Sequence, residues 1–316
     1  MSSLPPEGAR FSWGGPAKNN MNLLREWPVD QRRNIVGVFT DIDDTLTTDG
    51  AITPDALQAL ADLKAAGLKV VAITGRPVGW CTPFAAGSQN PKKPKLGTTG
   101  WPVDAFVAEN GSVALVCKKT SSEVTSNGDS LLSKIYQESA ATRLANTARM
   151  QVVAARVLRE VPGVAISSDS AGRETDLAFD YNEHARLPAE TVQKVLAILR
   201  DEGMRTSVSS IHIHGCFGDF DKWRGACWIA RELWGVDLAR ELDAWVFVGD
   251  SGNDQAMFRH FRHSVGVANI ERFLPQLDYQ PRYVTQGTRG AGFAQLARAL
   301  LEAGSGGSGG MGRVNP

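Results

Sequence analysis

Cysteine is scarce in this sequence. The four present, Cys81, Cys117, Cys216 and Cys227, form no CxxC pair and no tight metal-type spacing. That argues against a disulfide framework and for free thiols in a reducing compartment. Long apolar runs are missing too: no stretch approaches the roughly 20 residues needed to cross a bilayer. The opening MSSLPPEGARFSWGGPAKNN carries no apolar signal core. Net charge is the third absence. Lys plus Arg (34) balance Asp plus Glu (34), so no global field favours nucleic acid or an anionic membrane. The one basic run, PKKPK at 91–95, reads as a solvated loop. These absences point to a soluble, cytoplasmic chain with neither nucleic acid nor membrane as partner; they leave its oligomeric state open.

What is present is ordinary globular composition, 42% hydrophobic and 22% charged. The 316 residues suffice for one large domain or two ordinary ones. A flexible lead-in is expected over 1–33. A strand at 35–40 is followed by a polar turn and then TPDALQALADLKAAG, where Thr53 suits a helix cap and Pro54 its first position. Leu57, Leu60 and Leu63 give that helix a buried stripe ending at Gly67. LKVVAIT reads as a second strand, and DAFVAENG with SVALVC as a strand and its hairpin partner around Asn110-Gly111. Apolar strands alternating with helices argue for a parallel sheet covered on both faces.

The middle changes character. A polar stretch leads into a helical pattern over 131–160 with Leu144, Ala148, Val152 and Ala155 on one side. GVAISSD and RETDLAFDYNEH look like neighbouring strands, followed by a helix carrying Val192, Val195, Leu196 and Leu199. After IHIHG the earlier style returns, with a helix at 222–235, the strand AWVFVG and a last helix over 291–302. The expected organisation is an α/β, Rossmann-like core (34–114 and 211–303), an inserted α+β cap (115–210), and a flexible Gly/Ser tail (304–316).

Chemistry concentrates at expected strand ends. VFTDIDDTLTTDG places Asp41, Asp43 and Asp44 within four residues of one another at the end of the first strand. Carboxylates packed so closely repel unless a cation joins them. A calcium loop is excluded, because Leu46 and Ile52 stand where its Gly and Glu belong. Thr74-Gly75-Arg76 ends the second strand, where a hydroxyl and backbone N–H groups can cradle phosphate. GDSGND places Asp250 at a third strand end and Asp254 about one turn on; alone, such a turn is as readily a helix cap. In open α/β sheets ligands bind beyond these carboxyl ends. Hard oxygen ligands suit Mg²⁺, which takes one or two carboxylates and keeps places for phosphate. Lys222 heads a helix and can supply fixed positive charge, with Lys118, Lys119 and Lys134 as rivals.

In that order, DIDDT, ITGR, the lysine of FDKWRG and GDSGND resemble the four motifs of the haloacid dehalogenase superfamily of phosphotransferases. The match covers roughly 35–114 and 212–300. The insert resembles the cap of its sucrose-phosphate, trehalose-phosphate and mannosylphosphoglycerate phosphatases. The resemblance implies Asp41 as nucleophile and Asp43 as general acid/base. It implies Mg²⁺ held by Asp41, the Asp43 carbonyl and Asp250, with Asp254 supporting the metal's waters or Lys222. Thr74 and Lys222 would hold the phosphoryl group, with Gly75 and Arg76 beside them. Asp44 stands where relatives often have glycine.

For the cap, Leu177, Phe179 and Tyr181 alternate with polar neighbours. The polar face is either plain surface or a roof that reads sugar hydroxyls, in which case Arg173, Glu174, Asp180 and Asn182 are the candidates. His212 and His214 share a strand face with no third ligand evident, which favours packing over metal. Trp80, Trp101 and Trp223 are read as packing residues before sugar stackers. The expectation is a Mg²⁺-dependent phosphomonoesterase acting on a small phosphorylated metabolite, most simply a sugar phosphate. The rivals are a phosphosugar mutase using the same aspartyl chemistry and a silent binding module.

Overall fold

The computed structural model describes residues 21–85, 100–117 and 132–305. PKKPK, Lys118 and Lys119 lie outside them. The chain opens with strand β1 (Asn22–Leu23), helix α1 (Val29–Arg33) and strand β2 (Gly37–Thr40). A small flap, β3 (Thr47–Thr48) and β4 (Ala51–Ile52), precedes helix α2 (Pro54–Ala65) and strand β5 (Lys69–Ile73). Helix α3 (Val78–Ala85) and strands β6 (Ala105–Ala108), β7 (Val113–Cys117) and β8 (Leu132–Tyr136) follow. The middle holds α4 (Ala140–Glu160), β9 (Ala165–Ile166), β10 (Leu177–Asp180), α5 (Ala189–Asp201), β11 (Arg205–Val208) and β12 (His212–Cys216). The last part is α6 (Lys222–Trp234), β13 (Trp245–Gly249), α7 (Gln255–His260), β14 (His263–Gly266), β15 (Tyr283–Val284) and α8 (Arg289–Ser305).

Among the described residues nine strands form one sheet in the order β1-β15-β14-β13-β2-β5-β6-β7-β8. It is parallel through β6, and β7 and β8 add antiparallel at one edge. Its central strands bury both faces, as period-two alternation requires. Val38, Val70 and Val246 face α2 and α8, while Phe39, Val71 and Phe247 face the α6 and α7 side. The chain runs from β2 to β5 on one side and returns to β13 on the other. This reversal opens a crevice at the carboxyl ends of those three strands.

A second, antiparallel sheet, β11-β12-β10-β9, packs Phe179 and Ile213 against α4 and α5. Its other face carries Asp176, His212 and His214. Among the described residues no helix is long and apolar enough to cross a membrane.

Several expectations shift. Residues 22–33, expected within a flexible lead-in, form β1 and α1: β1 pairs with β15, and Trp27 is buried between His263 and Tyr283 at 5.0 and 5.3 Å. Residues 132–136 are a strand of the large sheet rather than a helix. The helix begins at Ala140, where Ser139 Oγ accepts from Thr142 N–H at 3.1 Å. Conversely, 212–216, expected in the core, pair within the smaller sheet. On α4 the buried face is Met150, Val153, Ala154 and Val157, and Leu144 and Val152 stand 74% and 70% exposed. Thr53 starts α2 with Pro54 at the first position, but makes no side-chain capping bond.

Candidate active site

The register of the central strands brings the three expected ends together. Thr40 pairs with Val248 and Ala72 in its neighbours, and Asp41 N–H donates to the Val248 carbonyl at 2.9 Å. Asp41, Asp250 and Asp254 each place an oxygen within 4.8 Å of the others, all buried. Lys222, fully buried at the start of α6, donates to Asp41 Oδ1 at 2.5 Å and to Asp254 Oδ1 at 2.7 Å. Asp254 Oδ2 accepts from the N–H groups of Asp250 and Ser251 at 2.9 and 3.0 Å. It reaches them across Gly249, where a Cβ would lie 2.4 Å from that oxygen. Asp254 therefore holds Lys222 in place. Asp250 Oδ2 accepts from Asn269 Nδ2 at 2.9 Å and Arg272 Nη2 at 3.2 Å. Among the described residues its buried Oδ1 has no partner.

Thr74 is buried at the end of β5, and its Oγ1 accepts from Arg76 N–H at 3.0 Å, leaving the hydroxyl proton for another acceptor. Gly75 is required, because a Cβ would meet His214 Nε2 at 2.9 Å. The Arg76 guanidinium is engaged by three carboxylates. Its Nε donates to both oxygens of Asp43 at 3.0 Å and its Nη2 to Oδ1 at 2.9 Å. Its Nη1 reaches Asp169 at 3.2 Å and Glu183 at 3.0 Å, both on the insert.

The insert's expected substrate contacts are likewise engaged in holding structure. Arg173 donates to the Gly75 carbonyl at 2.9 Å and to Asp176 at 2.7 Å. Glu174 pairs with Lys134 and Tyr136, which also removes Lys134 as a rival to Lys222. Asp180 accepts from the N–H groups of Glu183 and His184 at 2.8 and 2.9 Å. Asn182 donates to the Ser210 carbonyl at 2.8 Å. The turn Ser209–His212 lies beside Asp41 and Asp43. It lines, with His214, a small pocket of about 10 Å³ that also touches Asp41, Asp43 and Thr74. A cleft of about 890 Å³ adjoins it, sharing His214 and Asn253 and reaching Lys222, Asn182 and Gln255. Trp101 packs in the core, and Trp223 stacks on His260 at 4.6 Å. Trp80 lies against Phe84 and under the Arg76 guanidinium.

Sequence reading did not single out Asn269, Arg272, Arg289 or Glu109. Arg272 and Arg289 pair with Asp44 at 2.8 and 3.0 Å. Buried Glu109 accepts the N–H groups of Glu174, Thr175 and Asp176 at 3.0, 2.6 and 3.2 Å, tying the insert to the core. In the sequence Glu109 marked only a hairpin.

Burial pushes the Asp41 carboxyl up to about 8; Lys222 opposes this, and Asp254 and Asp43 add to it. Asp250 is raised as well, by burial and by Asp41, Asp254 and Asp44. Burial disfavours the Lys222 charge, but Asp254 and Asp41 outweigh it and keep the ammonium. Burial takes His214 down to about 4 despite its bond to Asp176, so it is neutral near pH 7. Lys222 thus leaves the carboxylates under-compensated. A divalent ion with oxygen preference fits the gap: the donors are all oxygens, and among the described residues Asp250 Oδ1 lacks a partner.

Comparison with known families bears on this site directly. The haloacid dehalogenase-like hydrolase model matches residues 38–204, and the sucrose-6F-phosphate phosphohydrolase model matches 122–292. The chain belongs to the haloacid dehalogenase-like hydrolases and is a phosphatase of the group that the sucrose-phosphate model describes. A search of curated proteins finds no match. Among solved structures, Thermoplasma acidophilum 0175 is 18% identical with a TM-score of 0.57, over 84% of this chain and 98% of that one. The sucrose-phosphatase of Synechocystis sp. PCC6803, solved with sucrose and phosphate, is 14% identical with a TM-score of 0.56, over 85% and 98%. The subclass IIB sugar phosphatase BT4131 is 15% identical with a TM-score of 0.54, over 85% and 98%. At these identities the likeness is one of fold.

Proposed function

We propose that this phosphatase is a Mg²⁺-dependent phosphomonoesterase that hydrolyses a small phosphorylated sugar through an aspartyl-phosphate on Asp41. The observation that carries the reading is the meeting of Asp41, Lys222, Asp254 and Asp250 at adjoining strand ends. Asp41, the Asp43 carbonyl and Asp250 would hold the ion, which when bound supplies positive charge to the transferring phosphoryl oxygens. Asp41 attacks phosphorus; the bond to the sugar oxygen breaks, and Asp43 gives that oxygen its proton. Asp43 then takes a proton from water, whose oxygen attacks the aspartyl-phosphate and frees Asp41 and inorganic phosphate. Lys222 fixes the attacking carboxylate and stabilises the equatorial oxygens, while the Thr74 hydroxyl donates to one of them. The adjoining cleft has room for the leaving sugar.

The test is a phosphate-release screen over sugar phosphates and nucleotides, with and without Mg²⁺. Release from sugar phosphates that requires Mg²⁺ supports the reading. Release that is indifferent to Mg²⁺, or confined to nucleotides, contradicts it. Turnover that needs a sugar bisphosphate and frees little phosphate would indicate the mutase instead.

A further inference from the structure

We infer that two carboxylates of the insert, Glu183 and Asp169, are positioning residues that set the acid/base Asp43 through Arg76. The inference rests on the proposed role of Asp43. Arg76 has five N–H donors in a planar fork, and the structure divides that fork between two parts of the molecule. Nε and Nη2 grip Asp43, at 2.9 to 3.0 Å. Nη1 is left to the insert, where Asp169 Oδ2 and Glu183 Oε1 lie at 3.2 and 3.0 Å. The guanidinium carbon also lies 5.1 Å from the centroid of the Trp80 ring, within cation–π range.

The far ends of this relay are themselves fixed. Glu183 Oε2 is bonded to His212 Nε2 at 2.9 Å, on the turn that lines the small pocket. Asp180, by accepting the Glu183 N–H, holds the backbone from which that side chain projects. Asp169 accepts from Ser167 Oγ at 2.8 Å and Arg173 Nη2 at 3.1 Å, and Arg173 in turn grips the Gly75 carbonyl. A rigid Arg76 thus requires the insert to be seated. With Nη1 unheld, the fork can rotate about its long side chain and carry Asp43 off the line to the leaving oxygen. Proton transfer tolerates such misplacement poorly. This division of one arginine couples seating of the insert to readiness of the acid, although neither Glu183 nor Asp169 touches the reacting atoms.

The test separates proton donation from everything else. p-Nitrophenyl phosphate and phenyl phosphate have similar size, but only the more basic phenolate leaving group gains much from a proton in the transition state. Both are assayed with wild type, Glu183→Gln, Asp169→Asn and Asp43→Asn, each checked for a cooperative melt. In Glu183→Gln and Asp169→Asn, kcat on phenyl phosphate is expected to fall about 10- to 100-fold with KM little changed. The loss on p-nitrophenyl phosphate is expected to be several-fold smaller, and Asp43→Asn to show the same pattern, enlarged. Equal losses on both esters in the insert variants, or losses in KM alone, overturn the relay while Asp43→Asn remains selective. If Asp43→Asn is also unselective, the acid/base assignment falls and the relay with it.

Discussion

Lys222 stands between two buried carboxylates, and the division of its ammonium between Asp41 and Asp254 governs what each can do. Asp254 is engaged by Lys222 and two backbone N–H groups, which in the proposed reaction leaves attack to Asp41. Asp41→Asn is expected to cut phosphate release by about four orders of magnitude, as loss of a nucleophile does; turnover near wild type in a phosphate assay would end the assignment. His214 gives a second test at this scale. Its ordinary value of 6.5 falls to about 4 in the fold, through burial opposed by Asp176. The stability this contributes is complete above pH 6.5 and drains as pH falls towards 4. His214→Gln should therefore flatten the decline of melting temperature across that window, and an unaltered slope would contradict the neutral, buried assignment. Asp41, Thr74 and Asp250 stood out in the sequence, because strand ends followed by polar turns announce themselves; Lys222, at a helix start, had rivals. The partners of Arg76 did not stand out. Asp169 and Glu183 lie far along the chain, and nothing local in ITGR says which carboxylates will meet the arginine.

Helix α6 carries Lys222 on its first residue, and the helix is placed by contact between two glycines. A Cβ on Gly225 would lie 2.5 Å from Gly111 Cα, and Gly111 has φ +113, in the region that favours glycine. Backbone meets backbone here, so neither side can yield as a flexible side chain would. Gly225→Ala is expected to cost about 1–3 kcal/mol in denaturant melts. It should also lower kcat on every ester alike, since it shifts Lys222 and not the acid. A melt and rate matching wild type would show that the helix is positioned otherwise. At this scale the sequence conveyed the α/β alternation well, because buried parallel strands are nearly continuous apolar runs. It misled on α4, whose Leu144 and Val152 look like a core stripe but face outward. Two apolar stripes fit that helix, and only the position of the smaller sheet selects Met150, Val153, Ala154 and Val157. It also missed β8, because a strand at a sheet edge, LSKIY, alternates too briefly to stand out from the polar stretch before it.

The whole molecule joins a nine-stranded sheet to a four-stranded one over a crevice of buried acid, and a cation should stabilise that union. Mg²⁺ at about a hundred times its dissociation constant would add about 2.7 kcal/mol by mass action. The melting temperature should rise accordingly, and Asp250→Asn should abolish most of the rise; an equal rise in that variant would place the ion elsewhere. The most direct measurement is to quench the enzyme with acid during turnover of a sugar phosphate, reduce it with borohydride and map the peptides. A phosphorylated aspartate becomes homoserine under that treatment. Homoserine at position 41 is the expected result; its absence there under turnover, or its appearance at another aspartate, would contradict the account.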